Sequence, residues 1–213
     1  MDEVKIEEMV KTYTEFDYVF EQEFYGRIIK YGIIKGNNKI LLIKPGQDGS
    51  LIGYHNKYYN LATYINKKYG FTIICANNPY DKIHDPLIDA IDVIEAYAEF
   101  MNFKDYDIYY YGNSNGASIG ACNAYKYEKI KRMLLVNPPL FINFHKIEDG
   151  IKKFKGDKIN FIFGSLDPSY KYVGLLDVLK NTKVSYYIIE GEDHNLSNNT
   201  ISLESLVEKY LFD

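Results

Sequence analysis

The residue in this chain best placed to do covalent chemistry is Ser114. It stands in Gly112-Asn113-Ser114-Asn115-Gly116, after the strand-prone residues 108–111 and before the small, helix-compatible Ala117, Ser118, Gly120 and Ala121. That order predicts a strand, a sharp turn and a helix, with the hydroxyl held clear of the backbone at the helix N-terminus. A glycine two residues to either side suits such a turn, because a side chain there would strike the neighbouring strand or helix as the chain doubles back. A serine hydroxyl is a poor nucleophile at neutral pH. It needs a base to take its proton and donors to hold the oxyanion formed on the attacked carbonyl. By itself G-x-S-x-G also describes a plain strand-to-helix connection. A phosphate-cradling loop is disfavoured, because no Lys-Ser/Thr pair follows.

Histidine is the natural base, since an unperturbed imidazole titrates near neutrality. Of His55, His84, His145 and His194, only His194 directly follows the last predicted strand, in Gly191-Glu192-Asp193-His194-Asn195. A third group must fix the imidazole tautomer and offset its charge. Asp167, in the GSLDPS segment after the strand predicted over 158–163, is the favoured carboxylate. Asp193 is its rival, but side chains adjacent in an extended segment point to opposite sides. The bland role for Asp167 is a helix cap before Ser169. For the oxyanion, the backbone N–H of Asn115 lies just past the nucleophile at a helix N-terminus, where donors lack intrahelical acceptors. A second N–H is expected from Gln47 in Pro45-Gly46-Gln47-Asp48-Gly49-Ser50. Asn78, Tyr80 and His84, after the fourth strand, and Pro139 and Phe141, after the sixth, are expected around the substrate pocket.

These residues need elements that bring their loops together. Residues 2–13 have the apolar spacing of a short amphipathic helix, and strands are predicted over 16–24, 27–35 and 39–44. The short turns between these strands imply an antiparallel start. The rhythm then alternates. Helices are predicted over 56–69, from the Asp85-Pro86 cap to about 102, over 147–154, 171–180 and 201–211. Buried strands are predicted over 71–76, 107–111, 132–137, 158–163 and 184–189. Such alternation builds a mostly parallel sheet covered on both faces, with ligands at the carboxyl ends of its strands. The loops after the third, fifth, seventh and eighth strands therefore share one edge.

Composition narrows the partners. The 213 residues suit one large domain, and a net charge of −4 with pI about 5.6 gives no basic footprint for nucleic acid. No Cys or His spacing suggests a metal, and Cys75 and Cys122 read as buried core residues rather than a disulfide. The acidic first residues lack the pattern of a signal peptide, and no stretch approaches a membrane span. The expectation is a cytoplasmic protein that acts on a small acyl substrate without nucleic acid, membrane, metal or organic cofactor.

Over essentially its whole length the chain resembles the α/β-hydrolase fold family. The resemblance rests on GNSNG after the fifth strand, GSLD after the seventh, GEDHN after the eighth, and a PGQDGS loop similar to the family's HGxxG-type oxyanion loop. The order Ser, Asp, His is also the family's. It implies a mostly parallel sheet of about eight strands with antiparallel N-terminal strands and helices on both faces, in a single domain over 1–213. It further implies Ser114 as nucleophile, His194 as base and acid, Asp167 as its orienter, and an acyl-enzyme intermediate. Two departures stand out. Pro45 occupies the place where the family usually has His, and the short segment 138–157 leaves no room for a full lid or separate cap domain. The implied activity is that of a carboxylesterase-like serine hydrolase cleaving an ester, thioester or amide, with an open site suited to short acyl groups. A catalytically silent homologue, an acyltransferase and a C–C hydrolase are the alternatives.

Overall fold

The computed structural model describes residues 16–24, 26–79 and 85–213. The helix expected over 2–13 lies outside the described residues.

Eight strands form one sheet: β1 (Tyr18–Phe24), β2 (Arg27–Ile34), β3 (Asn37–Lys44), β4 (Phe71–Ala76), β5 (Asp107–Asn113), β6 (Ile130–Val136), β7 (Lys158–Gly164) and β8 (Val184–Ile189). Their spatial order is β1-β2-β4-β3-β5-β6-β7-β8. β2 pairs antiparallel with both β1 and β4, and every pairing from β4 to β8 is parallel. The three-strand antiparallel start is therefore corrected. β1 and β2 do form a hairpin, but β4 inserts between β2 and β3. Physically, β3 is apolar on both sides and gains more by lying inside a parallel sheet than at the end of a meander.

Burial along β3 shows why. Ile40 and Leu42 belong to the core on one face of the sheet, while Leu41 and Ile43 belong to the core on the other. In β5, Ile108 and Tyr110 join the first core and Tyr111 the second. Period-two alternation thus feeds two apolar layers at once. Helix α2 (Ile88–Phe100) contributes Ile91, Ile94 and Tyr97 to the first layer. The same layer takes Ala117 and Ala121 from α3 (Asn115–Asn123) and Ile147 from α4 (Phe144–Lys153). Helix α1 (Lys57–Tyr69) covers the opposite face with Leu61, Ala62 and Ile65, beside Leu206 and Val207 of α5 (Leu203–Val207).

Four helices differ from expectation, α4 only in starting at Phe144 rather than near 147. α2 begins at Ile88 rather than at Asp85-Pro86, because Asp85 Oδ1 accepts the Leu87 amide at 3.0 Å and closes a local turn first. The helix expected over 171–180 is a 3₁₀ segment, Tyr170–Leu179, that buries only Leu176 and Leu179. The last helix passes from α5 into a π turn, Glu208–Phe212. There Asn160 Nδ2 donates to Tyr210 O at 2.5 Å and Arg132 Nη1 to Phe212 O at 2.6 Å, so sheet side chains take carbonyls at the helix end. Among the described residues no helix is long and apolar enough to cross a membrane.

Candidate active site

The fold brings the loops after β3, β5, β7 and β8 to one edge, where the sequence-selected Gln47, Ser114, Asn115, Asp167 and His194 stand. Ser114 caps α3 at the end of β5 with φ 53° and ψ −117°, a strained conformation for a residue other than glycine. The surrounding structure enforces it. The Ser114 amide donates to Val136 O at 2.7 Å, tying the turn to β6. A Cβ on Gly112 would stand 2.7 Å from Gly116 O, and one on Gly116 would stand 2.3 Å from Lys44 O and 2.4 Å from Pro45 O. The first glycine lets α3 fold back on β5. The second lets α3 abut the end of β3, which sets the loop after β3 beside the serine. Gly46 lies against Ser114, with 3.3 Å from its ideal Cβ position to the serine Cβ.

His194 Nε2 lies 2.9 Å from Ser114 Oγ, and His194 Nδ1 faces Asp167 Oδ2 in a short hydrogen bond. The Asp167 side chain is fully buried, whereas that of His194 is 42% exposed, so the imidazole reaches the cavity and the carboxylate does not. Asp167 also does what its bland role foresaw: Oδ1 accepts the Ser169 amide at 2.6 Å. One oxygen fixes the turn and the other faces the imidazole. The rival, Asp193, is turned into its own loop. Its Oδ1 accepts from Asn195 N and Ser197 N, both at 2.9 Å, and its Oδ2 from Ser197 Oγ at 2.5 Å. The Ser197 bonds, hydroxyl and amide, are the main cause that holds the Asp193 carboxyl below the usual range.

A cavity of about 330 Å³ opens on Ser114 and His194 and is also lined by Gly46, Gln47, Tyr54 and Lys57. Among the described residues no protein acceptor takes the Gln47 amide. Asn115 begins α3, where a backbone N–H has no partner within the helix. Gln47 thus lines the cavity and Asn115 follows the serine in sequence, and among the described residues neither backbone N–H has a protein acceptor outside regular structure.

The expected pocket residues are placed differently. Asn78 is buried and does not line the cavity. Its Nδ2 donates to Pro45 O at 2.9 Å and Asn115 Oδ1 at 3.0 Å, and its carbonyl accepts Asp48 N at 2.7 Å. It clamps the loop after β3 to α3 from behind. Pro139 and Phe141 also lie away from the cavity, where the Phe141 ring packs on Tyr172 at 5.5 Å. Their loop leaves β6 toward the 3₁₀ segment instead of folding over the serine. Tyr80 and His84 lie outside the described residues. His55 and His145 are exposed.

Other residues at the site escaped the sequence reading. Asn137, fully buried at the end of β6 with φ 47°, holds the histidine loop. Its Nδ2 donates to Asp193 O at 3.1 Å and His194 O at 2.9 Å, and its Oδ1 accepts Gly164 N at 2.9 Å. Glu192, also fully buried, accepts Thr200 N at 2.6 Å, Thr200 Oγ1 at 2.7 Å and Asn198 N at 3.1 Å. The only signal for either was a polar residue ending or following an apolar run. Tyr54, Lys57 and Tyr58 line the cavity from α1 and the turn before it, an element that the sequence had placed only in the core. Among the described residues no group of three or more His, Cys, Asp or Glu converges as a metal site would require.

No protein-family model matches the chain, and no curated protein matches it in sequence. Solved structures do match in shape. The esterase Pf2001 of Pyrococcus furiosus aligns with TM-score 0.69 at 13% identity, over 90% of this chain and 87% of its own. A putative α/β hydrolase of unknown function from Agrobacterium tumefaciens, ATU1826, aligns with TM-score 0.68 at 18% identity, over 90% and 93%. Est1E from Butyrivibrio proteoclasticus aligns with TM-score 0.63 at 14% identity, over 84% and 91%. With this strand order, the single reversed strand β2 and these neighbours, the chain has the α/β-hydrolase fold.

Proposed function

We propose that the chain is a serine hydrolase that cleaves an ester, thioester or amide of a small molecule through an acyl-enzyme intermediate. The observation that carries this reading is the continuous contact from Ser114 Oγ to His194 Nε2, at 2.9 Å, and from His194 Nδ1 to Asp167 Oδ2. Ser114 Oγ attacks the substrate carbonyl as His194 Nε2 takes its proton. Asp167 holds the ring with Nδ1–H toward itself and offsets the imidazolium charge. The carbonyl oxygen becomes an oxyanion facing the amides of Asn115 and Gln47. When the tetrahedral centre collapses, the bond to the leaving group breaks and His194 returns the proton to that group. Water, deprotonated by the same imidazole, then attacks the acyl-serine, and the acid leaves as Ser114 recovers its proton. These steps call for no metal or organic cofactor.

Structural neighbours described as esterases support acyl chemistry on this fold, at identities that carry the fold alone. The short segment between β6 and β7 holds α4 and its flanking loops, which favours a single domain without a cap and an open site. The test is a fluorophosphonate probe on the whole chain. Labelling of the wild type that vanishes in Ser114→Ala, together with turnover in a panel of esters, thioesters and amides, is the expected result. A folded wild type that neither labels nor hydrolyses any member of the panel would leave a silent binding protein as the better reading.

A further inference from the structure

We propose that Lys57 selects substrates that carry an anionic substituent, a carboxylate or sulfonate, in addition to the scissile carbonyl. The inference rests on Ser114 being the nucleophile and adds a substrate class to that reading.

Lys57 lines the same cavity as Ser114 and His194. Its surroundings are unfavourable for a cation on three counts. It sits in the first turn of α1, a helix with no acidic residue in that turn, where the positive end of the helix dipole repels it. It is partly withdrawn from water, and this burial is the main cause pushing its ammonium below the ordinary lysine range. Finally, among the described residues no carboxylate lies within salt-bridge distance of it.

The contacts it does make are weak. Nζ donates to Asn195 O at 3.3 Å and lies 5.1 Å from the centre of the Tyr58 ring. Asp193 acts on it from farther away and partly restores its charge, but both Asp193 oxygens already accept bonds from Asn195 and Ser197. An ammonium placed so, in the wall of a reaction cavity, gains a partner when an anion enters. Ordinary core packing does not explain it, since a surface lysine at this helix end would be better solvated and an apolar residue better packed.

Two matched pairs test this. Ethyl hexanoate against monoethyl adipate places the anion on the acyl side, and phenyl acetate against 4-acetoxybenzenesulfonate places it on the alcohol side. The readout is the ratio of kcat/KM for the anionic to the neutral member. In one pair this ratio should fall about ten-fold from wild type to Lys57→Met, the scale of one charge-assisted hydrogen bond, and largely survive in Lys57→Arg. Lys57→Gln serves in place of the Met variant if the latter does not fold. Ratios that do not change in the Met or Gln variant, while the esters are still hydrolysed, overturn the anion site and leave the hydrolase reading standing. If no ester is hydrolysed and Ser114 takes no probe, the hydrolase reading has failed, and calorimetric titration with adipate decides the site. Binding that Lys57→Met abolishes then supports the site, and no binding to the wild type overturns it.

Discussion

Asn137→Ala should damage both stability and reactivity, and the two losses are separately measurable. The wild-type side chain makes three buried or part-buried hydrogen bonds, to Gly164 N, Asp193 O and His194 O. At about 0.5–1.5 kcal/mol net for each, their loss sums to about 3 kcal/mol. Asn137 also sits at φ 47°, a region asparagine tolerates better than alanine, which adds to the cost. For a chain of this length, about 3 kcal/mol corresponds to a drop in Tm of roughly 6–12 °C. Reactivity falls for a different reason. Two of the three bonds hold the backbone carbonyls of residues 193 and 194, the latter carrying the imidazole itself. A relaxation of the order of 1 Å in that loop can cost about a hundred-fold in rate. The second-order rate of fluorophosphonate labelling, taken well below the variant's Tm, reads this without knowledge of the substrate. Asn137→Asp keeps an acceptor for Gly164 N but sets a carboxylate against two carbonyl oxygens, so it should label as slowly as the alanine variant. A Tm loss with wild-type labelling would reduce Asn137 to a purely structural role. If neither quantity changed, the clamp itself would be refuted.

Other expectations follow from the same geometry. Asp167→Asn should lower ester turnover by about 10⁴-fold, because an amide can stabilise the wrong imidazole tautomer. Near-wild-type turnover would transfer the role to Asp193 or another carboxylate. Gly116→Ala should unfold at lower temperature and lose labelling, since its Cβ would meet backbone oxygens at 2.3 and 2.4 Å that only movement of the loop after β3 could relieve. An alanine variant that labels at the wild-type rate would count against the role given to that loop. Burial pushes the Cys122 thiol up to about 11 and raises Cys75 as well, so both favour the thiol. At pH 8 about one Cys122 in a thousand is then the reactive thiolate. Iodoacetamide should modify neither until denaturant is added, and rapid native alkylation would contradict this. Across straight-chain esters, kcat/KM should fall from butyrate to palmitate, since the open cavity of about 330 Å³ cannot enclose a long chain. A marked rise with length would argue for a covering element.

What could be read in advance divides along physical lines. Ser114, Asp167 and His194 were legible because each follows a strand of the parallel part of the sheet, buried in β5 and β7 and at the edge in β8, and parallel strands deliver their loops to one sheet edge. The strands β4 and β8 were legible to the residue, being short apolar runs bounded by turn residues. The insertion of β4 between β2 and β3 was not, because period and propensity say which residues form a strand but not which strand lies beside it. Asn78, Asn137 and Glu192 were illegible as clamps for a related reason. Their partners are mainly backbone atoms, 33 residues away for Asn78 to Pro45 and 56 for Asn137 to Asp193, and a backbone donor or acceptor has no sequence signature. Lys57 was missed because the apolar spacing of α1 drew notice to its buried face, whereas the cavity meets the helix at its first turn.

Pro45 takes on a different meaning once these contacts are known. In sequence it marks a departure from the expected oxyanion loop and raises the question of whether that loop keeps its shape. In the fold, the loop's shape depends little on which side chain stands at 45. The Pro45 carbonyl is held by Asn78 Nδ2 at 2.9 Å, and the next turn closes through Gly49 N to Gly46 O at 3.0 Å. Asp48 N donates to Asn78 O at 2.7 Å and Asn78 N donates back to Gly49 O at 3.1 Å, which ties the loop to the one after β4. All of these bonds use backbone atoms of the loop, and proline retains the one atom that position 45 must supply, its carbonyl oxygen. The position is therefore secured from outside, by Asn78 on one side and by the absence of a side chain at Gly116 on the other. It follows that Asn78→Ala should impair labelling more than Pro45→Ala does. The alanine at 45 still offers its carbonyl, whereas loss of the Asn78 amide releases both the Pro45 carbonyl and the Asn115 side chain. The opposite ranking of labelling rates would place control of the oxyanion loop in its own sequence.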